Sequence, residues 1–278
     1  MLLGALDHSP SEQLSGHPAE WHTTVLVLSE GGEYLELVTD LAQRLAQSSA
    51  LKKWSDKRNH YKALFEEALA AELPKYPVHI RAISAPEWII GASTAHMLKE
   101  LGLANFVRPV VRNEKRYLEF GPFQRVRTAR LDGEYPKACC EPASFEVREH
   151  QAIPLIFICH FLLRMHQQLM PLMQEEWPEL EWVDWQLMPN KFPGGVDGPM
   201  ASLFHALMSG STGAGLVAGN IRIMTLLDSK TDAGSALADN VAGLLRDKIA
   251  CGEMQLAKPT LQGRGASMLW EVWSAPHG

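Results

Sequence analysis

The sequence predicts an α/β protein with a mainly mixed or parallel sheet, on three observations. Apolar, β-favouring runs alternate with segments of helical periodicity, the order that joins strands through helical crossovers. The run Val25–Leu28 is apolar at every position, as a strand covered on both faces must be. The composition suits a packed core: 278 residues, 46% hydrophobic and 21% charged.

The elements follow in order. Residues 1–20 hold Pro, Ser, Gly and His without periodicity and read as a flexible tail, leaving 21–278 as a single domain. After the Val25–Leu28 strand, "YLELVTDLAQRLAQ" places Leu35, Val38, Leu41, Ala42 and Leu45 at helical spacing. "RNHYKALFEEALAAELP" is a stronger helix, with Tyr61, Leu64, Phe65, Ala68 and Leu69 on one face. "VHIRAIS" is a strand, and "EWIIGASTAHMLKELGL" a helix that ends near Gly102. "QAIPLIFICHFLLRMHQQLMPLM" is a long, largely buried helix. "LEWVDWQL" reads as a strand, "PMASLFHALMSG" as a helix, "NIRIMTLL" as a strand and "SALADNVAGLLRDKIA" as the closing helix.

Residues 105–150 interrupt this alternation with short β-like runs and read as an insertion or hairpin arm. Between 105 and 138, eight bases face four acids, so the span is locally +4 on a chain of net charge −6. With a pI near 6.0 there is no global basic field, and a polyanion would have to meet this patch. Arg112, Arg116, Arg125 and Arg127 are its candidate nucleic-acid contacts, with Lys53 and Lys230 as further phosphate candidates.

Other function classes find less support. The N-terminus lacks a basic region followed by a long apolar core, so no secretory signal is expected. No apolar run reaches the roughly 18 residues of a membrane span. Cys139, Cys140, Cys159 and Cys251 form no CxxC pair, so reduced thiols in a cytoplasmic protein are the simplest reading. "SGSTGAGLVAGN" follows a helix and precedes a strand, the reverse of a phosphate loop, and "NKFPGGVDGP" lacks the Gly-Lys-Ser/Thr ending; both read as loops. His79, His96, His160, His166 and His205 have no paired ligand spacing and read as core or surface residues.

Four acids stand at element ends or inside apolar runs. Glu30 ends the Val25–Leu28 strand, Asp184 lies in "LEWVDWQL", Asp228 closes "NIRIMTLL", and Asp239 falls in the opening turns of the last helix. Gathered in one place they would repel by about 1 kcal/mol per close pair in water. Mg²⁺ or Mn²⁺ would remove that cost, and two such ions serve phosphodiester hydrolysis. Plainer roles exist for each: Glu30 as a turn acid, Asp184 facing solvent, Asp228 as a helix cap and Asp239 on a solvated helix face.

These blocks resemble the domain-of-unknown-function 3800 family of nucleases with an RNase H-like fold. That family opens with a strand ending Asp-Glu-Ser-Gly, where this chain has "LSEGG". Its Lys-Trp helix is similar to "LKKWSDKRNHYKALFEEAL", its middle Asp strand to "LEWVDWQ", and its closing block to "IRIMTLLDSKTDAGSALADNVAGLLRDK". The resemblance implies a metal-dependent nuclease using Glu30, Asp184, Asp228 and Asp239 with Mg²⁺ or Mn²⁺. The chain departs at Ser29, which stands where the family has its first Asp. The alternative is therefore a catalytically degenerate member that binds nucleic acid or a protein partner.

Overall fold

The computed structural model of the chain describes residues 2–10, 20–30, 33–46, 50–56, 59–127, 139–176, 183–187, 221–226, 232–254 and 266–277. In chain order the strands are β1 (Leu2–Pro10), β2 (Trp21–Glu30), β3 (Val78–Pro86), β4 (Val107–Arg112), β5 (Lys115–Arg127), β6 (Cys139–Arg148), β7 (Val183–Leu187), β8 (Ile221–Leu226) and β9 (Ser267–Val272). The helices are α1 (Tyr34–Arg44), α2 (Asn59–Glu72), α3 (Glu87–Glu100), α4 (Glu149–Glu176) and α5 (Ala233–Ala250). The six-stranded sheet has the order β8-β7-β1-β2-β3-β9, and β4-β5-β6 form a separate three-stranded sheet. This is a mixed α/β fold.

Over residues 2–10 the expected tail is overturned; 11–19 lie outside the described residues. Leu2–Pro10 is a strand, hydrogen-bonded on one side to β2 antiparallel and on the other to β7 in parallel. Its buried residues Ala5 and Leu6 lie in the middle of the sheet. The apolar stretch Leu2–Leu6 was a strand signal outweighed by the Pro, Ser and Gly that follow it.

β2 behaves as its composition requires. Val25 and Val27 join one core with α1, α2 and α5, while Leu26 and Leu28 join the opposite core with α3 and α4. Alternating side chains feed both faces at once. Helix α1 buries Tyr34, Leu37, Val38, Leu41 and Ala42, but Leu35 is 60% exposed, contrary to its predicted place in the stripe. Leu64 of α2 is likewise turned outward, whereas Phe65, Ala68 and Leu69 are buried. Helix α3 stops where expected. Gly102 takes φ +66°, its N–H reaches the Lys99 carbonyl, and the Leu103 N–H reaches that of Leu98. These two bonds close the free carbonyls of a helix end that only a left-handed residue permits.

The arm is a real substructure, though not a free-standing one. β4, β5 and β6 pair antiparallel, and Leu118, Phe120 and Val147 are buried in the α3–α4 core. The predicted helix "PMASLFHALMSG" and both glycine-rich loops lie outside the described residues. β9, which no periodicity announced, adds in parallel to β3 at the sheet edge.

Helix α5 packs against β1 and β2 and is buried on most of its circumference. Asp232 caps it, its carboxylate accepting from the Ser235 N–H at 2.6 Å. The face carrying Asp239, Gly243 and Asp247, spaced four residues apart, is covered by Trp54. The Trp54 N–H donates to Asp239 Oδ2 at 2.9 Å, its indole N–H donates to Asp247 Oδ2 at 3.0 Å, and the ring fills the space over Gly243. Lys62 also pairs with Asp247 and lies 5.1 Å from the Trp54 ring centroid. A Cβ at position 243 would overlap the indole. Gly243→Ala is therefore expected to lower the unfolding free energy by about 1–3 kcal/mol through overpacking. Trp54→Ala should cost about 3–5 kcal/mol, and the double variant less than the sum. Urea unfolding of the three variants checks this; an unchanged midpoint for Gly243→Ala would show that Trp54 does not sit there.

Candidate functional site at the carboxyl edge of the sheet

Sheet polarity sorts the candidate residues. β1, β3, β7, β8 and β9 run one way and only β2 runs against them. In open α/β sheets, ligands lie outside the carboxyl ends of the strands, where the strand order reverses. Here the chain leaves β1 toward β2 and β3 on one side and later adds β7 and β8 on the other, so the reversal falls at β1 and β7.

The predicted acids do not gather there. Glu30 is the last residue of the antiparallel β2 and pairs with Leu2; Asp184 pairs with Leu3. Both therefore stand at the amino edge, in adjacent register rows. Asp239 is drawn to Trp54, so its expected solvated or metal-facing position is instead a contact that holds the Lys-Trp segment on α5. The small neighbours that seemed to leave room for an ion leave room for an indole. Asp228 and Lys230 lie outside the described residues. Of the four acids, the described Asp239 is engaged with Trp54, and Glu30 and Asp184 share the amino edge. Among the described residues no group of three His, Cys, Asp or Glu side chains could hold a metal ion.

The cationic candidates are placed as follows. Arg112 and Arg116 are exposed on the arm, paired with Glu146 at 2.8 Å and Glu149 at 4.0 Å. Arg125 and Arg127 are in β5, and Lys53 is half-buried in the segment before the Trp54 turn.

The carboxyl half of β1 carries a group of polar residues that the tail reading passed over. Asp7 is 1% exposed and sits two residues beyond Ala5, which belongs to the α5 side of the sheet. Leu3 pairs with Asp184, so Asp7 stands four residues, ~13 Å, further along than Asp184. Arg246 of α5 donates to Ser9 Oγ at 3.3 Å, which closes α5 over this end of the strand. On the opposite face, His8 Nδ1 and Thr24 Oγ1 are 2.9 Å apart, and His8 Nε2 and His22 Nδ1 are 3.3 Å apart. The two imidazoles are stacked, with centroids 5.3 Å apart. Trp88, the second residue of α3, is 57% exposed. A run of apolar residues ending in Asp, the pattern used to find the other acids, is present in "LLGALDH" and would have found Asp7.

Buried polar pairs continue toward the other strands. Thr23 Oγ1 and Ser84 Oγ are 2.8 Å apart, and the Trp270 indole N–H donates to the same Ser84 at 3.0 Å. His160, read as a core residue, is buried and bonded to Glu100 at 2.5 Å; burial pushes it below its usual range while Glu100 pulls it back up.

Comparison with known protein families, with curated proteins and with solved structures yields no match.

Burial sets the charge state of this edge. The His22 imidazole is pushed down to about 4 because desolvation disfavours its cation. The unfolded chain takes that proton near pH 6.5 and the folded protein only near 4, so the stabilisation is complete above 6.5 and is lost as pH falls between these values. The loss should approach ~3 kcal/mol from this group by pH 4. Urea midpoints followed from pH 8 to 4 should fall less steeply in His22→Leu than in the parent protein. Parallel curves would mean that His22 protonates freely in the fold.

Proposed function

We propose that the chain is a nucleic-acid-binding module built on an RNase H-like fold, using the β4–β6 arm as its contact surface. The fold reading is supported by the mixed sheet covered on both faces by helices and by the Lys-Trp segment docked on the closing helix. The binding reading is carried by one observation: the arm presents exposed cations on a sheet anchored in the core. In residues 105–127, Arg108, Arg112, Lys115, Arg116, Arg125 and Arg127 stand against Glu114 and Glu119. Arg112 and Arg116 side chains are 62% and 79% exposed. Their ion pairs lie in water, where each contributes under about 1 kcal/mol. A phosphate can displace such a carboxylate at little cost, and each phosphate contact adds the entropy of counterion release.

The retained acids also fit a non-catalytic module. Asp239 serves the Trp54 contact, and Glu30 with Asp184 stand away from the edge where the strand order reverses. These positions ask for structural roles first.

A second reading, metal-dependent hydrolysis of a phosphodiester, is favoured by one observation. The first strand of the sheet is β1, and it places a carboxylate, Asp7, near the reversal point. The acid that Ser29 had replaced in the opening-strand comparison thus has a counterpart in the strand before it.

The two readings separate by experiment. Arg112→Glu with Arg116→Glu should weaken binding of a short DNA or RNA duplex and make the log–log salt slope shallower by about 1.4–1.8, two phosphate contacts' worth. An unchanged affinity and slope would overturn the arm assignment. If the protein cleaves DNA or RNA with Mn²⁺, and Asp7→Asn abolishes cleavage while Asp239→Asn spares it, the hydrolytic reading replaces the binding one.

A further inference from the structure

The β3–β9 side of the sheet holds a cation, in the same register row as Leu6, that the arm and the carboxyl edge do not use. Arg81 of β3 is half-buried, pairs in register with Leu26 of β2 and Leu269 of β9, and shares its sheet face with His79, two residues before it. Its Nη1 is held by three oxygens of the sheet: the Ile80 carbonyl at 3.0 Å, Ser267 Oγ at 2.9 Å and the Ser267 carbonyl at 3.5 Å. Ser267 Oγ also lies 2.8 Å from His79 Nδ1. Which of the two donates in that contact follows the His79 tautomer. Burial pushes His79 down to about 4, with the nearby Arg81 charge adding to the effect, so the imidazole is neutral.

The arginine is thus fixed at one end only. Among the described residues no carboxylate pairs with it, and its Nε and Nη2 are left for another acceptor. Arginine is rarely buried without a partner, because the low-dielectric surroundings penalise an uncompensated charge; burial accordingly lowers its proton affinity below the ordinary value. Two other arginines show a guanidinium edge gripping two oxygens at once, Arg108 through the same edge that is free on Arg81. Arg108 grips Glu119 through Nε at 3.1 Å and Nη2 at 2.8 Å. Arg164 of α4 grips Glu271 of β9 through Nη1 at 3.1 Å and Nη2 at 3.3 Å. Glu271 is the acid on β9 nearest in sequence to Arg81's partner Leu269, and Arg164 already claims it. Leu269 itself is 54% exposed, so the corner where β3 and β9 meet is open to solvent.

We infer that Arg81, steadied by Ile80 and Ser267, is an oxyanion receptor that takes a phosphate group through its Nε–Nη2 edge. A guanidinium presents parallel N–H donors that match two phosphate oxygens, and one already anchored loses little side-chain entropy on binding. Phosphate is favoured over carboxylate because its larger charge gains more from a cation whose own charge is otherwise uncompensated. The site is separate from the arm and does not depend on it.

The test is calorimetric titration of inorganic phosphate at constant ionic strength, with acetate titrated in parallel. The parent protein should bind phosphate more tightly than acetate. Arg81→Gln should weaken phosphate at least about tenfold, one charge-assisted contact's worth. Arg81→Lys should not restore it, because a point charge lacks the planar fork. Ser267→Ala, which frees Nη1 without removing the charge, should weaken it by a smaller factor and guards against misfolding of the Arg81 variants. Arg44→Gln, at the end of α1 and outside the arm, should leave it unchanged. Equal phosphate affinity in the parent and Arg81→Gln, or acetate bound as tightly as phosphate, overturns the assignment. A short oligonucleotide identifies the source: loss of its affinity in Arg81→Gln supports a nucleic-acid phosphate, and intact affinity with inorganic phosphate lost supports a free phosphate ligand.

Discussion

β1 is the strand on which the sheet depends, because it is claimed from both sides. β2 pairs with it antiparallel along all nine residues, and β7 pairs with five of them in parallel. A strand in that position has to satisfy its backbone groups across two ladders and keep both faces out of water. Leu6 meets the α3–α4 core while Ala5 meets α5. The pairing with Val183 joins residues about 180 positions apart, so the ladder forms only after a large loop is closed. β1 and β2 pair across a short connection, whereas β2 and β3 close the longer span from Ser29 to Val78 that holds α1 and α2. The three strands give β7 a template to add to.

Close approach does for α5 what pairing does for β1. Gly234 lets the helix start against the sheet, where a Cβ would come within 2.9 Å of Ala5. Gly243 lets Trp54 lie on the outer face of the same helix. Between them the helix is wedged between β1 and an indole, with Asp239 and Asp247 holding the two ends of the tryptophan by hydrogen bonds. An acid that accepts a backbone N–H and sits beside a bulky ring is doing work that an asparagine could partly do. An acid kept for an ion would need its oxygens turned toward other acids.

Much of this was readable from periodicity. α2, α3, α4 and α5 fall where 3.6-residue spacing places them, and the arm is where the basic β-like runs are. β1 and β9 were missed for the same physical reason. Each is a strand whose place is decided by distant partners, Val183–Leu187 for β1 and Val78–Pro86 for β9, and β1 is followed by residues that resemble a tail. The face of α5 was misjudged because helical spacing shows which side lacks large apolar residues, not what covers it. Small residues beside an acid suit a metal and a tryptophan equally well. The site suffered most from register: moving the first strand from β2 to β1 takes the opening acid from Glu30 to Asp7, at the other end of the sheet.

That shift also explains why the polar residues divide as they do. Helices cover the middle of a sheet and run out toward its ends, so polar side chains can be tolerated there without leaving the fold. At the carboxyl end, Asp7, His8, His22 and Thr24 are nevertheless buried, and desolvation holds the His22 imidazole below its usual range. At the β3–β9 corner the reverse holds: Arg81 retains its charge and faces an opening beside Leu269. At the first, the hydrogen bonds of His8 with Thr24 and His22 tie β1 to β2 on one face of the sheet. The second is open, with a donor edge already oriented. Of the two, only the open one, on the β3–β9 side of the sheet, can exchange an internal partner for one from solution without first breaking the core.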